Sequence, residues 1–164
     1  MTIIPYDRSA AVRYAARWAY SRNPAYFNFS GIGGDCTNFV SQCLYAGAGV
    51  MNYTPDFGWY YISPDNRAAA WTGVEYLYNF LTTNESAGPF ATVIDAEDAQ
   101  IGDVIQLGND MGEFYHTLII VAKIGDSPRN IFIASHSDDS FLRRLSTYNY
   151  SIARYLHIEG VRKP

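Results

Sequence analysis

The hydrophobic period changes partway along this chain, and that change limits the folds available to it. Up to residue 83 apolar side chains recur at helical spacing; from residue 103 they run in short strand-like blocks. Helices first and strands after exclude an alternating βαβ chain. They predict an α+β domain, with N-terminal helices packed on a curved antiparallel sheet. A first helix is expected over 7–22, capped by Asp7, with Val12, Ala15, Ala16, Ala19 and Tyr20 as its apolar stripe and Asn23-Pro24 as its stop. A second is expected over about 35–46, stopped by Gly47 and Gly49. A third is expected over about 73–83, with Val74, Leu77, Tyr78 and Leu81 inward. Residues 50–71 read as a long irregular loop with Phe57, Trp59, Tyr60 and Tyr61 between Pro55 and Pro64; loops of that length in a compact domain are usually functional. Strands are expected at 103–107, 117–123, 130–135 and 154–161, with a turn over Gly125–Pro128. The 164 residues make one domain, 1–164, without repeats or linkers.

The chemistry concentrates at Gly33-Gly34-Asp35-Cys36. Two glycines permit a tight approach, Asp35 is a good N-cap residue, and Phe39, Val40, Cys43 and Leu44 follow Cys36 at helical spacing. Cys36 is therefore expected on the first turn of a helix. Unpaired backbone N–H groups and the positive end of the helix dipole favour a thiolate there. The blander reading is a small buried hydrophobe, and Cys43 fits it. The two cysteines, seven residues apart on one helix, are ~10 Å apart at ~1.5 Å per residue, too far to bridge. No CxxC pattern offers a metal site.

A net charge of −4 argues against a nucleic-acid partner, and no basic stripe suits an anionic membrane. Fourteen tyrosines suit either a tyrosine-rich core or a groove for a polar polymer such as peptide or glycan. The N-terminus lacks the basic and long apolar regions of a signal peptide, and no run reaches membrane-spanning length.

The cysteine segment, continued through Thr37-Asn38-Phe39-Val40-Ser41-Gln42, resembles the nucleophile helix of bacterial cysteine peptidases and amidases with a papain-like core, the NlpC and CHAP kind. More narrowly, the chain is similar to the amidase domain family of cell-wall-associated bacterial proteins. The resemblance extends over Tyr6-Asp7-Arg8, Trp18-Ala19, Arg22-Asn23-Pro24 and Tyr26, and later over Trp71, Gly102-Asp103-Val104-Ile105, His116 and His136-Ser137-Asp138. It implies a papain-like fold and hydrolysis of an amide bond, in peptidoglycan, through a thioester on Cys36, without a cofactor or metal. It also implies a monomer whose partner is peptidoglycan or a peptide. The site of action would be the cell wall or extracellular space, reached as a released endolysin or as a module of a longer secreted protein.

A cysteine nucleophile needs a base, and histidine suits neutral pH. His116 opens the strand at 117–123 and matches the family's catalytic histidine. A turn centred near Asp126 would set position 136 opposite 116, which favours His136 as the group that orients the imidazole; Asp138, Ser135 and Asn149 are the alternatives. His157, between Leu156 and Ile158, reads as structural. The Cys36 N–H is one expected oxyanion donor, and Tyr26, matching the family's upstream tyrosine, is the second. Asp35 is read as a helix cap at the oxyanion and substrate side. Asn38 and Gln42 are expected away from the core stripe. Two other classes compete: a catalytically silent wall- or peptide-binding module of the same fold, and a zinc hydrolase using His116, His136 and an aspartate, for which no ligand spacing speaks.

Overall fold

The structure is a computed structural model describing residues 1–164. Four helices lie in the first half: α1 (Arg8–Trp18), α2 (Cys36–Ala48), α3 (Ala69–Thr72) and α4 (Val74–Thr83). Nine strands complete it: β1 (Thr2–Ile4), β2 (Tyr61–Ser63), β3 (Asn66–Arg67), β4 (Gly88–Ile94), β5 (Val104–Gly108), β6 (Phe114–Lys123), β7 (Ile131–Ser135), β8 (Ser140–Arg144) and β9 (Ile152–Lys163). Seven of them form one antiparallel sheet in the order β1-β9-β5-β6-β7-β8, with β4 also paired to β9. The α+β class is as expected. Strands β1, β4 and β8 were not legible, because Thr2–Ile4 is short, Gly88-Pro89 opens β4 with two poor strand formers, and Ser140–Arg144 is largely polar.

Alternation along β6 divides the core between the two faces of the sheet. Ile119 and Val121 join Phe39, Val40, Leu44, Leu77, Leu81 and Leu156 on the helix side. Leu118 and Ile120 join Ile105, Leu107, Ile131, Ile133 and Leu145 on the other. Ala11 and Ala15 on α1, and Ala19 just past its end, are fully buried, and these small side chains allow close packing on α2. The first helix ends at Trp18, four residues short of expectation, and Tyr20 is exposed rather than inward. The Trp18 carbonyl faces the His136 ring at 2.8 Å, and Arg22 turns away to Asp139 at 2.8 and 3.0 Å, so tertiary partners outcompete the next turn.

Helix α2 is buried on nearly every side, which corrects the expectation for Asn38 and Gln42. Its polar side chains are tolerated because each has a partner. Thr37 pairs with Thr117, Asn38 accepts from Trp71 Nε1 at 3.0 Å, Ser41 accepts from Trp59 Nε1 at 3.0 Å, and Gln42 accepts from Tyr14 at 2.5 Å. The aromatic segment after α2 is thus its cover. It is less irregular than expected, because β2 and β3 pair, Asn52 pairs with Trp59, and α3 follows.

Ser41→Ala tests this cover, because it leaves the fully buried Trp59 N–H unpaired. A loss of about 1–3 kcal/mol is expected in urea unfolding. Adding Trp59→Phe removes the stranded donor, so the double variant should lose less than the sum of the two single losses.

Candidate active site

Cys36 is the first residue of α2, and the helix begins there without a cap. Asp35 occupies the cap position, but its carboxylate makes no capping bond. It accepts instead from the Phe29 N–H at 2.9 Å, from Asn38 Nδ2 at 2.9 Å and from His136 Nδ1 at 2.5 Å, with Arg22 Nε at 3.3 Å. The cap expectation for Asp35 is therefore corrected. The backbone N–H groups of Cys36, Thr37 and Asn38 have no protein acceptor. Burial alone would raise the Asp35 pKa, but hydrogen bonds from His136, Asn38 and Phe29 outweigh it and hold the carboxyl below its ordinary value. Gly33 and Gly34 lead in at φ +83° and +98°, the left-handed region that a side chain resists.

His116 stands near the start of β6, on the Leu118 face, while Thr117 turns toward α2. Its Nε2 lies 3.1 Å from Ser135 Oγ. The Ser135 hydroxyl donates to the His136 carbonyl at 2.8 Å, so it accepts from His116 Nε2–H. That fixes the tautomer, leaving the lone pair on Nδ1, which has no protein partner. Burial, with the Arg143 charge second, lowers the His116 pKa to about 4. Arg143 stacks on Tyr148 at 3.6 Å, and the Tyr148 ring is 5.6 Å from the imidazole.

One hydrogen bond joins these two elements. Thr37 Oγ1 and Thr117 Oγ1 are 2.9 Å apart, and Cys36 and His116 each immediately precede one of these threonines. Both Cys36 and His116 are buried to 8% exposure. The Cys36 sulfur lies 3.7 Å from Thr37 Oγ1, and thiol and imidazole share no hydrogen bond in this state.

The expected partner of His116 is displaced by one residue. Ile119 pairs with Ala134 and Ile120 with Ile133, and the strand is bulged between Ile120 and Ala122. A slip of one residue exchanges faces, so Ser135, not His136, shares the side of His116. His136 faces the helices. It stacks on Phe39 at 4.0 Å, with Nδ1 on Asp35 and Nε2 on the Trp18 carbonyl, so neither nitrogen is free to orient a second imidazole. Asp138 is exposed and paired with Arg143 at 3.2 Å, and the Asn149 carbonyl accepts from Tyr115 at 3.2 Å. Tyr26 stacks on Trp71 at 5.9 Å, and burial raises its pKa to about 12. His157 is held by Asp103 at 2.8 Å, in a network in which Arg8 also binds Asp103 at 2.7 Å. No three His, Cys, Asp or Glu side chains converge as metal ligands would. The Thr37–Thr117 pair and Arg143 carried no sequence signal, because only the fold brings them to the site.

The family described as "Putative amidase domain" matches residues 5–158. "Uncharacterized protein YhbB" of Bacillus subtilis (strain 168) is 39% identical over 122 residues, which is 72% of this chain and 38% of that protein. The chain thus spans well under half the length of that relative. No solved structure matches the chain.

The two perturbed groups divide the acid range. The folded chain binds the His116 proton less readily than the unfolded chain does, because its pKa falls from 6.5 to about 4. Its effect on stability is absent above pH 6.5, grows as the pH falls toward 4, and reaches on the order of 3 kcal/mol. Asp35, lowered from 3.8, contributes stability above that value and loses it below. Unfolding followed against pH should therefore show His116→Gln flattening the decline between pH 6.5 and 4. Asp35→Asn should change the profile below that window while lowering stability throughout.

Proposed function

The chain belongs to the Putative amidase domain family, whose hydrolases act on C–N bonds, and from that premise we propose a cysteine amidase or endopeptidase of papain-like architecture. The observation that carries this reading is the uncapped start of α2 at Cys36, tied by Thr37–Thr117 to the strand that bears His116. A buried helix N-terminus without a cap has donors to spare, and an oxyanion is a partner that would use them. A central nucleophile helix on an antiparallel sheet, with the base on a strand, is the arrangement that papain-like hydrolysis needs.

In this mechanism His116 Nδ1 takes the Cys36 proton as Sγ attacks the amide carbonyl. The tetrahedral oxyanion is held by the N–H of Cys36, with Tyr26 as the proposed second donor. His116 returns the proton to the leaving nitrogen, the C–N bond breaks, and a thioester remains on Cys36. Water then attacks the thioester with His116 as base, releasing the acid and restoring the thiol. Ser135 orients His116 by accepting from Nε2–H. His136 acts at one remove, holding Asp35 away from the cap position. The substrate is an amide of peptidoglycan, supported by the resemblance of the cysteine, histidine and upstream aromatic segments to cell-wall enzymes.

Digestion of purified peptidoglycan, with products identified by mass spectrometry, tests the reading. Cys36→Ala should abolish product formation, and iodoacetamide should inactivate the protein through Cys36 before the fully buried Cys43 reacts. Ser135→Ala should lower kcat by ~10-fold or more with little change in KM, because it frees the imidazole without removing it. Unimpaired cleavage by Cys36→Ala would exclude the cysteine mechanism. Saturable binding with no cleavage by the wild type would instead indicate the silent binding module.

A further inference from the structure

Between the aromatic segment and α4 lies a cleft of about 710 Å³, within the size range of ligand pockets. Its walls include Asp56, Phe57, Tyr60, Arg67, Tyr76 and Asn79. Phe57 is 85% exposed at the tip of a turn, where the ring forgoes burial. The support beneath it is rigid. Gly58 N–H bonds to the Thr54 carbonyl at 2.9 Å, and Asn52 and Trp59 exchange backbone bonds of 2.8 and 2.7 Å. A Cβ at Gly58 would lie 2.2 Å from the Asn52 carbonyl oxygen, so this turn requires glycine. Asp56 beside it holds φ +63°, a strained conformation for a residue with a side chain. On the other wall the Tyr76 ring folds over Gly73, where a Cβ would lie 2.7 Å from Tyr76 Cδ2. Phe57 thus stands beside backbone that requires glycine, and the Tyr76 ring packs over a glycine.

The polar groups of the cleft are unspent. The Asp56 carboxylate, the Tyr60 and Tyr76 hydroxyls and the Asn79 side-chain amide make no hydrogen bond within the protein. Arg67 differs. It donates to Thr72 Oγ1 at 3.2 Å and to the Pro64 carbonyl, and stacks over Phe29 at 4.5 Å, so its charge is committed and offers no anion site. Phe57 and Tyr76 make no ring contact with each other or with Tyr60, so they form no cage around a point cation. They are separate flat platforms among free donors and acceptors, which suits an extended ligand with apolar faces and a hydroxylated rim.

We propose that this cleft is a carbohydrate subsite holding pyranose rings of a glycan strand. Phe57 and Tyr76 stack on the sugar C–H faces, and Asp56 and Asn79 bond the hydroxyl and acetamido groups. The proposal rests on the peptidoglycan reading above and deepens it. The cleft adjoins the nucleophile loop through Arg67 on Phe29, whose N–H binds the Asp35 carboxylate next to Cys36. A polymer with both sugars and peptide amides could then occupy cleft and thiol together.

The probe is the tetramer of β-1,4-linked N-acetylglucosamine, titrated into the Cys36→Ala protein and followed by amide chemical shifts and calorimetry. Saturable binding is expected, with shifts confined to residues 56–60 and 67–83. Phe57→Ala and Tyr76→Ala should each weaken it by about tenfold, consistent with loss of one stacked ring. Both positions are exposed, and an unchanged Tm verifies folding. No saturation, shifts elsewhere, or full affinity in Phe57→Ala would overturn the proposal. A lysine-bearing stem peptide that binds the cleft when the sugar does not would reassign it to peptide. Binding is read without turnover, so failure of the cysteine mechanism leaves this measurement intact.

Discussion

A buried carboxylate must find partners, and Asp35 draws its own from three parts of the chain. The loop supplies the Phe29 N–H, α2 supplies Asn38, and the end of β7 supplies His136. Through Arg22 and the Trp18 carbonyl the same cluster reaches the end of α1. Removing one member would leave a charge or donor stranded at full desolvation cost, so these contacts hold as a unit. They set where the loop before Cys36, the first helix and the sheet meet.

Because Asp35 is spent this way, it cannot cap the helix it precedes. A conventional cap would return about 1 kcal/mol of stability to α2. The fold forgoes that and leaves three N–H groups open beside Cys36. The two site histidines divide accordingly. His136 is a structural member of the Asp35 cluster, while His116 keeps an unpartnered Nδ1 and is held neutral by burial and the Arg143 charge. One histidine is saturated with partners and the other keeps one nitrogen free.

The helix–strand division, α2 and α4, and four of the sheet strands were legible because hydrophobic period and glycine stops act locally. The placement of Cys36 on the first turn of α2 was legible for the same reason. The partner of His116 was not. It depends on a register set by a bulge near Ile120 and a helical turn over Pro128–Asn130, neither of which has a hydrophobic pattern. One residue of slip was enough to exchange His136 for Ser135. The burial of Asn38 and Gln42 was equally hidden, since their partners Trp71 and Tyr14 lie 33 and 28 residues away.

Trp59 and Trp71 explain why the segment after α2 is long. A helix buried on nearly every side with Thr, Asn, Ser and Gln among its residues cannot be covered by aliphatic side chains without stranding polar groups. Indole and phenol rings solve this, since each brings apolar area together with one donor. Trp59 and Trp71 spend theirs on Ser41 and Asn38, and both are fully buried. The same segment turns outward at Phe57 and at Tyr60, where rings and hydroxyls are not needed by the core. The inward residues fix the helix that carries Cys36, and the outward ones line the neighbouring cleft. On the proposed reading, a substrate held on the outer rings would rest on the same rigid segment that positions the thiol, which is the coupling that precise placement of a reacting amide requires.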